Sequence, residues 1–342
     1  MNNNNENRID WLDSLRGLAC LIVIIAHIIS TDDRYGKYAS GCGKIGVWLF
    51  LIISGFLAVY PLLEKKREFT LKSLPSWYAG KALRLYPAYI LAVLLALCTG
   101  FLPSLKSAVK HLLLMEGLGH FWYMPVIIKF YIILPLFLLI IGRLLKIKKG
   151  RELSLAMLFI TGLLFSLIFP FTKYEINSIS IKWYMPIFIM GMMLCFFFDK
   201  LNKKEQPAGD IAAIAAVFDI FLMTPPMRKI LDGIEASDWL HNKYIPVGIL
   251  WCLFFAGTAC GRYLKKLLPG IRFFAYVGKI SYELYLFHYI VLLKTMEKTE
   301  STKIIGLATL VLGFPLAIAC HYMIKWVQKR LSVIKVHDHA GT

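Results

Sequence analysis

Long apolar stretches, separated by short polar segments, dominate the chain from residue 12 to residue 325. Each stretch is about 17–22 residues long, the length that an α-helix needs to cross the hydrocarbon core of a bilayer. The apolar residues run continuously instead of alternating with polar ones, which favours helices over a membrane β-barrel. The pattern predicts an all-α, polytopic integral membrane bundle of about ten transmembrane helices. The predicted spans lie near residues 12–30, 44–62, 85–102, 121–142, 153–171, 183–199, 209–225, 245–263, 273–293 and 303–325.

The composition supports a membrane protein. Of the 342 residues 58% are hydrophobic and only 18% are charged, and the mean hydropathy is +0.62. A soluble domain of this length carries more charge on its surface. The net charge of +18 would suit a nucleic-acid partner. However, the basic residues lie mainly in alternate short loops, a distribution that keeps such loops in the cytoplasm. We therefore predict that both termini are cytoplasmic and expect no nucleic-acid partner.

The chain has no visible linker, internal repeat or second soluble domain. We predict a single transmembrane domain over residues 1–330 and a disordered cytoplasmic tail over residues 331–342. The polar run Met1–Glu6 lacks the features of a cleaved signal peptide, so the first span is expected to be an anchor. The seven cysteines show no CxxC or Cys/His spacing, and no metal site is expected.

The first predicted span carries charged residues on one face. Arg16 and His27 are separated by eleven positions, which returns to the same helix face ~16 Å further along the axis. Asp13 precedes Arg16 by one turn on nearly the same stripe. Ionisable residues inside a membrane are costly and mark functional sites. The alternative is that Arg16 and His27 only anchor the helix at the two interfaces.

Five short motifs follow one another along the chain. They are LDSLRGLA at residues 12–19 with His27, WLFLIISGFL at 48–57, KALRLYP at 81–87, HFWY at 120–123 with Phe130, Tyr131 and Pro135, and GKISYELYLFH at 278–288. In this order they resemble the motifs of the membrane acyltransferase-3 family. The resemblance covers the chain from about residue 9 to residue 325.

The resemblance implies an enzyme of the bacterial cytoplasmic (inner) membrane that transfers an acyl group, usually acetyl from acetyl-CoA. The implied acceptor is a hydroxyl of a surface polysaccharide or related glycan. No bound cofactor is expected, because acetyl-CoA or another acyl-CoA is a co-substrate. The implied partners are this donor, a glycan or lipid-linked sugar, and membrane lipid.

The chain also departs from the family pattern. Many members have a Glu where this chain has Ile127, and the first Arg of the third motif is Lys81 here. No esterase-like extracytoplasmic domain follows the last predicted span, so a second transfer by such a domain would need a separate protein.

His27 and Arg16 are the predicted catalytic residues, with Asp13 in support. A hydroxyl is a poor nucleophile at neutral pH, and imidazole is a suitable base for it. His27 is therefore expected either to act as this base or to accept the acyl group itself. Arg16 is expected to bind the thioester or the phosphates of the donor, or to hold an acidic partner.

Donor binding is predicted for Lys81, Arg84 and Ser54. Lys81 and Arg84 lie three positions apart at a helix start, where two cations suit the phosphates of coenzyme A. Basic residues also flank cytoplasmic helix ends for reasons of topology alone. Alternatively, Ser54 and its neighbour Gly55 are small residues that let two helices pack closely.

A possible acceptor cavity is predicted near the outer end of the bundle. Its candidate residues are His288, Trp122, Tyr131, Ser281 and Tyr282. Alternatively, His288 is a histidine at the membrane interface, and Trp122 and Tyr131 belong to the aromatic belt or to the core. We further expect a continuous polar channel from the Lys81–Arg84 face to His27, with a separate outer opening near His288.

Two other charged positions need partners inside the membrane. Lys279 and Glu283 are spaced to neutralise each other on one helix, whereas Lys129 has no obvious partner on its own helix.

The functional alternative to an acyltransferase is a transporter or flippase for a polar lipid-linked substrate. Such a protein would show broken helices in related halves, which the sequence does not show.

Overall fold

The computed structural model describes residues 10–64, 67–203, 205–233 and 239–340. Within these residues the backbone forms fifteen α-helices, five short 3-10 helices and no strand. The predicted all-α fold class is confirmed.

The α-helices follow the apolar stretches of the sequence. Their bounds are α1 Asp10–Ile29, α2 Gly36–Ala39, α3 Cys42–Leu63, α4 Leu74–Cys98, α5 Leu105–Leu112, α6 Tyr123–Leu144, α7 Gly150–Ile168, α8 Met185–Lys203, α9 Pro207–Leu222, α10 Pro225–Asp232, α11 Tyr244–Cys260, α12 Leu264–Gly270, α13 Arg272–Lys279, α14 Ser281–Met296 and α15 Thr302–Ala340. The 3-10 helices are Leu71–Ser73, Gly119–Trp122, Phe171–Lys173, Ile181–Trp183 and Trp239–Asn242.

Seven segments of the described chain are long and apolar enough to cross a membrane. The pair α9 and α10, bent by 76°, makes an eighth if it counts as one span. This bend falls at Pro225, the position where the sequence already weakens the seventh predicted span. Helix α11 is apolar but shorter, and it covers the eighth predicted span. The chain is therefore a polytopic helical membrane protein, while the count of ten and the cytoplasmic position of the termini stay predictions.

The ninth predicted span is not one continuous helix, which corrects the sequence-based expectation. The chain breaks at Ile280 into α13 and α14, and the Ser281 hydroxyl donates to the carbonyl oxygen of Gly278 at 2.9 Å. Helix α13 packs backbone to backbone on α1. A Cβ at Gly278 would lie 1.8 Å from the Asp13 carbonyl oxygen, and one at Gly17 would lie 2.0 Å from that of Phe274. The break lets α13 follow α1, whereas α14 turns into the core.

Helix α3 is the most buried long helix and packs closely on α8. A Cβ at Gly55 would lie 2.1 Å from the Phe188 carbonyl oxygen, and one at Gly191 would lie 2.1 Å from that of Ile52. Small residues allow membrane helices this close approach. Gly55 therefore serves packing, which leaves its neighbour Ser54 free for another role.

Helix α15 is the longest element, and its backbone continues through residues 331–340 to Ala340. The division into a transmembrane domain over residues 1–330 and a cytoplasmic tail over residues 331–342 stays a prediction.

Candidate functional site

Three cations from two helices converge on one cavity within the helix bundle. Arg16 of α1 and Lys81 and Arg84 of α4 line a space of about 270 Å³ between α1, α3, α4, α6 and α14. We call it the cationic cavity. It is also lined by the polar side chains of Ser54, Tyr123, Tyr131, Ser281, Tyr282 and Tyr285. The predicted donor-binding residues Lys81, Arg84 and Ser54 and the predicted catalytic residue Arg16 are thus brought together.

Aromatic rings and backbone groups fix the cations of this cavity. The Lys81 ammonium lies 4.1 Å from the centroid of the Tyr131 ring, within the range of a cation–π interaction. The Tyr282 hydroxyl donates to the carbonyl oxygen of Leu85 at 2.7 Å and so ties α14 to the Arg84 turn of α4. Asp13 lies 3.9 Å from the Arg16 guanidinium, which is longer than a charge-assisted hydrogen bond. Arg16 therefore keeps donor capacity for an anion.

His27 lines a second cavity of about 200 Å³, which we call the histidine cavity. Its walls come from α1, α2, α3 and α14, from the 3-10 helices Gly119–Trp122 and Trp239–Asn242, and from three loops. They include Ser40, Gly43, Lys44, His120, Trp122, Asn177, His241, Tyr285 and Tyr289. The two predicted catalytic residues thus lie in different cavities, although they share one helix.

His288 lies directly behind His27. The His27 Nδ1 and His288 Nε2 atoms are 2.9 Å apart, and the two rings are nearly parallel. His288 Nδ1 lies 2.8 Å from the carbonyl oxygen of Tyr285 and 3.1 Å from that of Leu284. Carbonyl oxygens only accept, so Nδ1 of His288 carries the proton and its neutral Nε2 must accept from His27.

This arrangement assigns the tautomer of neutral His27. Its Nδ1 donates to His288, and its Nε2 is left with an unshared electron pair. A Cβ at residue 43 would lie 3.5 Å from this Nε2, so Gly43 leaves open space in the histidine cavity beside it. The side chain is oriented to take a proton from a group in that space.

Tyr285 lines both cavities and separates them. Its side chain is buried, and its hydroxyl donates to the carbonyl oxygen of His120 at 2.7 Å. The structure therefore has two cavities that meet at one side chain instead of the continuous channel expected from the sequence.

The predicted acceptor residues divide between the cavities. Trp122 lines the histidine cavity, and His288 is fully buried beneath His27, not placed at an outer opening. Tyr131, Ser281 and Tyr282 line the cationic cavity instead. Ser281 and Tyr282 precede His288 by six or seven residues, or ~10 Å along α14 at the usual helical rise, which puts them at another depth.

Several residues of the histidine cavity were not singled out from the sequence. His120 is buried, and its Nε2 lies 2.9 Å from the carbonyl oxygen of Leu286. The sequence pointed to His120 only as the first residue of the HFWY motif. Lys44 is also buried, 5.0 Å from the centroid of the Tyr174 ring. Lys44 lies at the start of the second apolar stretch, and nothing in this position indicated that its side chain would be buried in a cavity.

Glu283 and Lys129 both have partners outside their own helices. Glu283 pairs with His321 of α15 at 3.0 Å, not with Lys279, because the break at Ile280 removes the continuous helix that their spacing requires. Lys129 donates to the carbonyl oxygen of Ile179 at 3.1 Å. Among the residues that the structure describes, no group of three or more His, Cys, Asp or Glu side chains is placed to hold a metal ion.

Comparison with known proteins gives a consistent family assignment. A family model described as an acyltransferase domain matches residues 9–326. Two proteins of Staphylococcus aureus strains COL and MRSA252, provisionally named O-acetyltransferase, are each 24% identical to this chain. These alignments cover 83% and 82% of this chain and 50% of each relative.

The O-acetyltransferase OatA of Staphylococcus aureus strain NCTC 8325 is also 24% identical, over 81% of this chain and 49% of that protein. The chain therefore spans about half the length of the curated relatives that it matches. No solved structure matches the chain.

Proposed function

Because the chain belongs to the acyltransferase-3 family, we propose that it is a membrane O-acyltransferase. It moves an acetyl group from acetyl-CoA to a sugar hydroxyl of a surface polysaccharide or related glycan, in the bacterial cytoplasmic membrane. One observation carries this proposal: a cationic cavity and an imidazole-bearing cavity meet at Tyr285. An enzyme that takes its donor and its acceptor from opposite sides of a membrane needs two such cavities with a thin boundary.

The donor binds in the cationic cavity. Arg16, Lys81 and Arg84 supply positive charge for the phosphates, and guanidinium groups suit phosphate geometry. The narrow cavity of about 270 Å³ suits the slender pantetheine arm, which carries the thioester toward Tyr285. The donor stays on the cytoplasmic side of the boundary.

The acceptor hydroxyl binds in the histidine cavity beside His27 Nε2. The Tyr285 side chain turns aside so that the hydroxyl oxygen reaches the thioester carbonyl carbon, and His27 takes the hydroxyl proton as the oxygen attacks. The new C–O ester bond forms and the C–S bond breaks, and the coenzyme A thiolate takes the proton from the His27 imidazolium. His27 lines the histidine cavity, so a hydroxyl bound there lies within hydrogen-bond distance of its imidazole. This proximity is the geometric condition for general base catalysis.

Two cavities separated by one side chain support transfer over transport. A transporter needs one site near the midplane that opens alternately to each side. An acyltransferase of this design moves only the acyl group across the boundary, and its helices need no large displacement.

The test is an analysis of the surface glycan from a deletion strain for one lost ester. The strain is complemented with the wild-type chain or with His27→Ala, at equal protein abundance in the membrane. General base catalysis contributes ~10²–10⁴-fold, so His27→Ala is expected to leave ester at background level. Normal ester content in the deletion strain, or in the His27→Ala strain, would contradict the proposal.

A further inference from the structure

A second cationic space lies outside the cavities described so far. Residues 67–72, which precede α4, line a space of about 660 Å³ together with Leu62 of α3 and the end of α6. We call it the basic cleft, and the residues that matter here are Arg67, Glu68, Phe69, Lys72, Arg143 and Lys146. All except the half-buried Phe69 are exposed, so the cleft is open to solvent.

Four of these six side chains are cations and one is an anion. The single carboxylate, Glu68, pairs with Lys146 at 3.0 Å, and both side chains are more than two-thirds exposed. Exposed ion pairs of this kind contribute ~0–1 kcal/mol. A phosphate can therefore displace Glu68 from Lys146 at little cost.

The basic cleft adjoins the cationic cavity through three aromatic rings. Phe69, which lines the cleft, has its ring centroid 6.0 Å from that of Trp77. Trp77 in turn lies 6.3 Å from Tyr131, which lines the cationic cavity. The Lys81 ammonium lies over both Trp77 and Tyr131, at 5.4 and 4.1 Å from their centroids. Both spaces thus border α3 and α6, and the three rings connect the segment before α4 with the cationic cavity.

We propose that the basic cleft binds the nucleotide end of the acyl-CoA donor, with its adenosine phosphates on the cations and its base near Phe69. This inference rests on the proposed donor. A cavity of about 270 Å³ holds the pantetheine arm but has no room for the nucleotide as well. The molecule must continue out of the cavity, and the basic cleft is the adjoining space with charge of the right sign.

Phosphate groups of anionic lipids share this chemistry, since basic residues at cytoplasmic helix ends also contact lipid headgroups. The length of the ligand distinguishes the donor from a lipid headgroup. Only the donor reaches from the basic cleft into the cationic cavity, so only the donor gains affinity from contacts in both spaces.

The experiment compares two donors on the full-length protein in nanodiscs of neutral or anionic lipid. Acetyl-CoA carries the nucleotide, whereas acetyl-phosphopantetheine lacks it. The variant is Arg143→Ala with Lys146→Ala. The control is Lys200→Ala with Lys203→Ala at the end of α8, which removes the same charge from residues that line neither space. Direct binding of each donor is measured, with no glycan present.

We expect the Arg143/Lys146 variant to weaken acetyl-CoA binding about tenfold, or ~1.4 kcal/mol, in both lipids. Binding of acetyl-phosphopantetheine is expected to stay unchanged, and the control to bind both donors as the wild type does. Equal weakening of both donors, no weakening of either, or an effect confined to anionic lipid would overturn the inference. If the wild-type chain binds no acetyl-CoA at all, the proposed donor is wrong, which is a different result.

Discussion

The Tyr285 hydroxyl donates to the carbonyl oxygen of His120 at 2.7 Å and so holds a buried ring between two cavities. On one side of the ring lies Arg16, and on the other lies His27. The two ionisable residues of α1 that the sequence places on one face are thus divided by a residue of α14. This boundary is the part of the site most open to a direct test.

Tyr285→Ala is expected to join the cavities and admit water to the thioester. Acetyl-CoA hydrolysis without acceptor should rise, while transfer to the acceptor falls. Tyr285→Phe is the matched control, because it keeps the ring and removes only one hydrogen bond, at a cost of about 1 kcal/mol. Release of free coenzyme A without acceptor measures hydrolysis, and the additional release with acceptor measures transfer. An unchanged ratio of hydrolysis to transfer in Tyr285→Ala would show that the ring is no barrier.

His288 is expected to position His27 through their 2.9 Å contact. His288→Leu leaves the His27 Nδ1 proton without an acceptor, and a buried unsatisfied donor costs ~1–3 kcal/mol, or ~5–150-fold in rate. His288→Gln places an amide oxygen near the former Nε2, so it should retain more activity than Leu. The loss should appear in kcat, with the KM for acetyl-CoA unchanged.

The control for this prediction is Leu292→Ala, one turn further along α14. Leu292 is buried, so the variant loses packing and thermal stability without touching His27. If Gln and Leu at position 288 lowered kcat equally, or if Leu292→Ala did so as well, His288 would have only a packing role.

Gly43→Ala is expected to lower acceptor use without harming the fold. The new methyl group would lie 3.5 Å from His27 Nε2 and 3.8 Å from the Ala26 Cβ, which are ordinary contacts. Alanine is also the better helix former by ~1 kcal/mol, so thermal stability should hold or rise. The methyl group nevertheless occupies the space beside the base, and the KM for the acceptor should increase about tenfold, or ~1.4 kcal/mol.

The control is Gly80→Ala on α4, where a Cβ meets no atom within 4 Å. Steady-state kinetics with varied acceptor and varied acetyl-CoA provide the measurement. Wild-type acceptor kinetics in Gly43→Ala would place the acceptor outside the histidine cavity.

Lys81→Ala with Arg84→Ala is expected to raise the KM for acetyl-CoA and to leave the KM for the acceptor unchanged. Both cations line the cationic cavity, and hydrogen bonds to charged groups contribute ~1.5–3 kcal/mol each. The KM for the donor should therefore rise at least tenfold, or ~1.4 kcal/mol. If only the KM for the acceptor changed, the acceptor would bind in the cationic cavity and the donor in the histidine cavity.

The sequence alone predicted the helical membrane architecture, and nine of the eleven candidate site residues that it suggested line one of the two cavities. Apolar stretches of membrane length are a local property, and each of the ten predicted stretches falls on one or two helices of the bundle. The five motifs also led to the correct family. Arg16, Ser54, Lys81 and Arg84 could be identified as candidates because all four lie in short motifs that resemble those of this family.

Which side chains meet could not be deduced from the sequence, because it depends on how helices distant in the chain pack. The close approach of Gly17 and Gly278 to their neighbours sets α13 against α1, and the chain breaks at Ile280. That break separates Lys279 from Glu283, whose carboxylate then reaches His321 on α15. The hydropathy of a segment fixes where a helix lies in the chain, whereas the depth and direction of its polar side chains are fixed only by the helices packed around it.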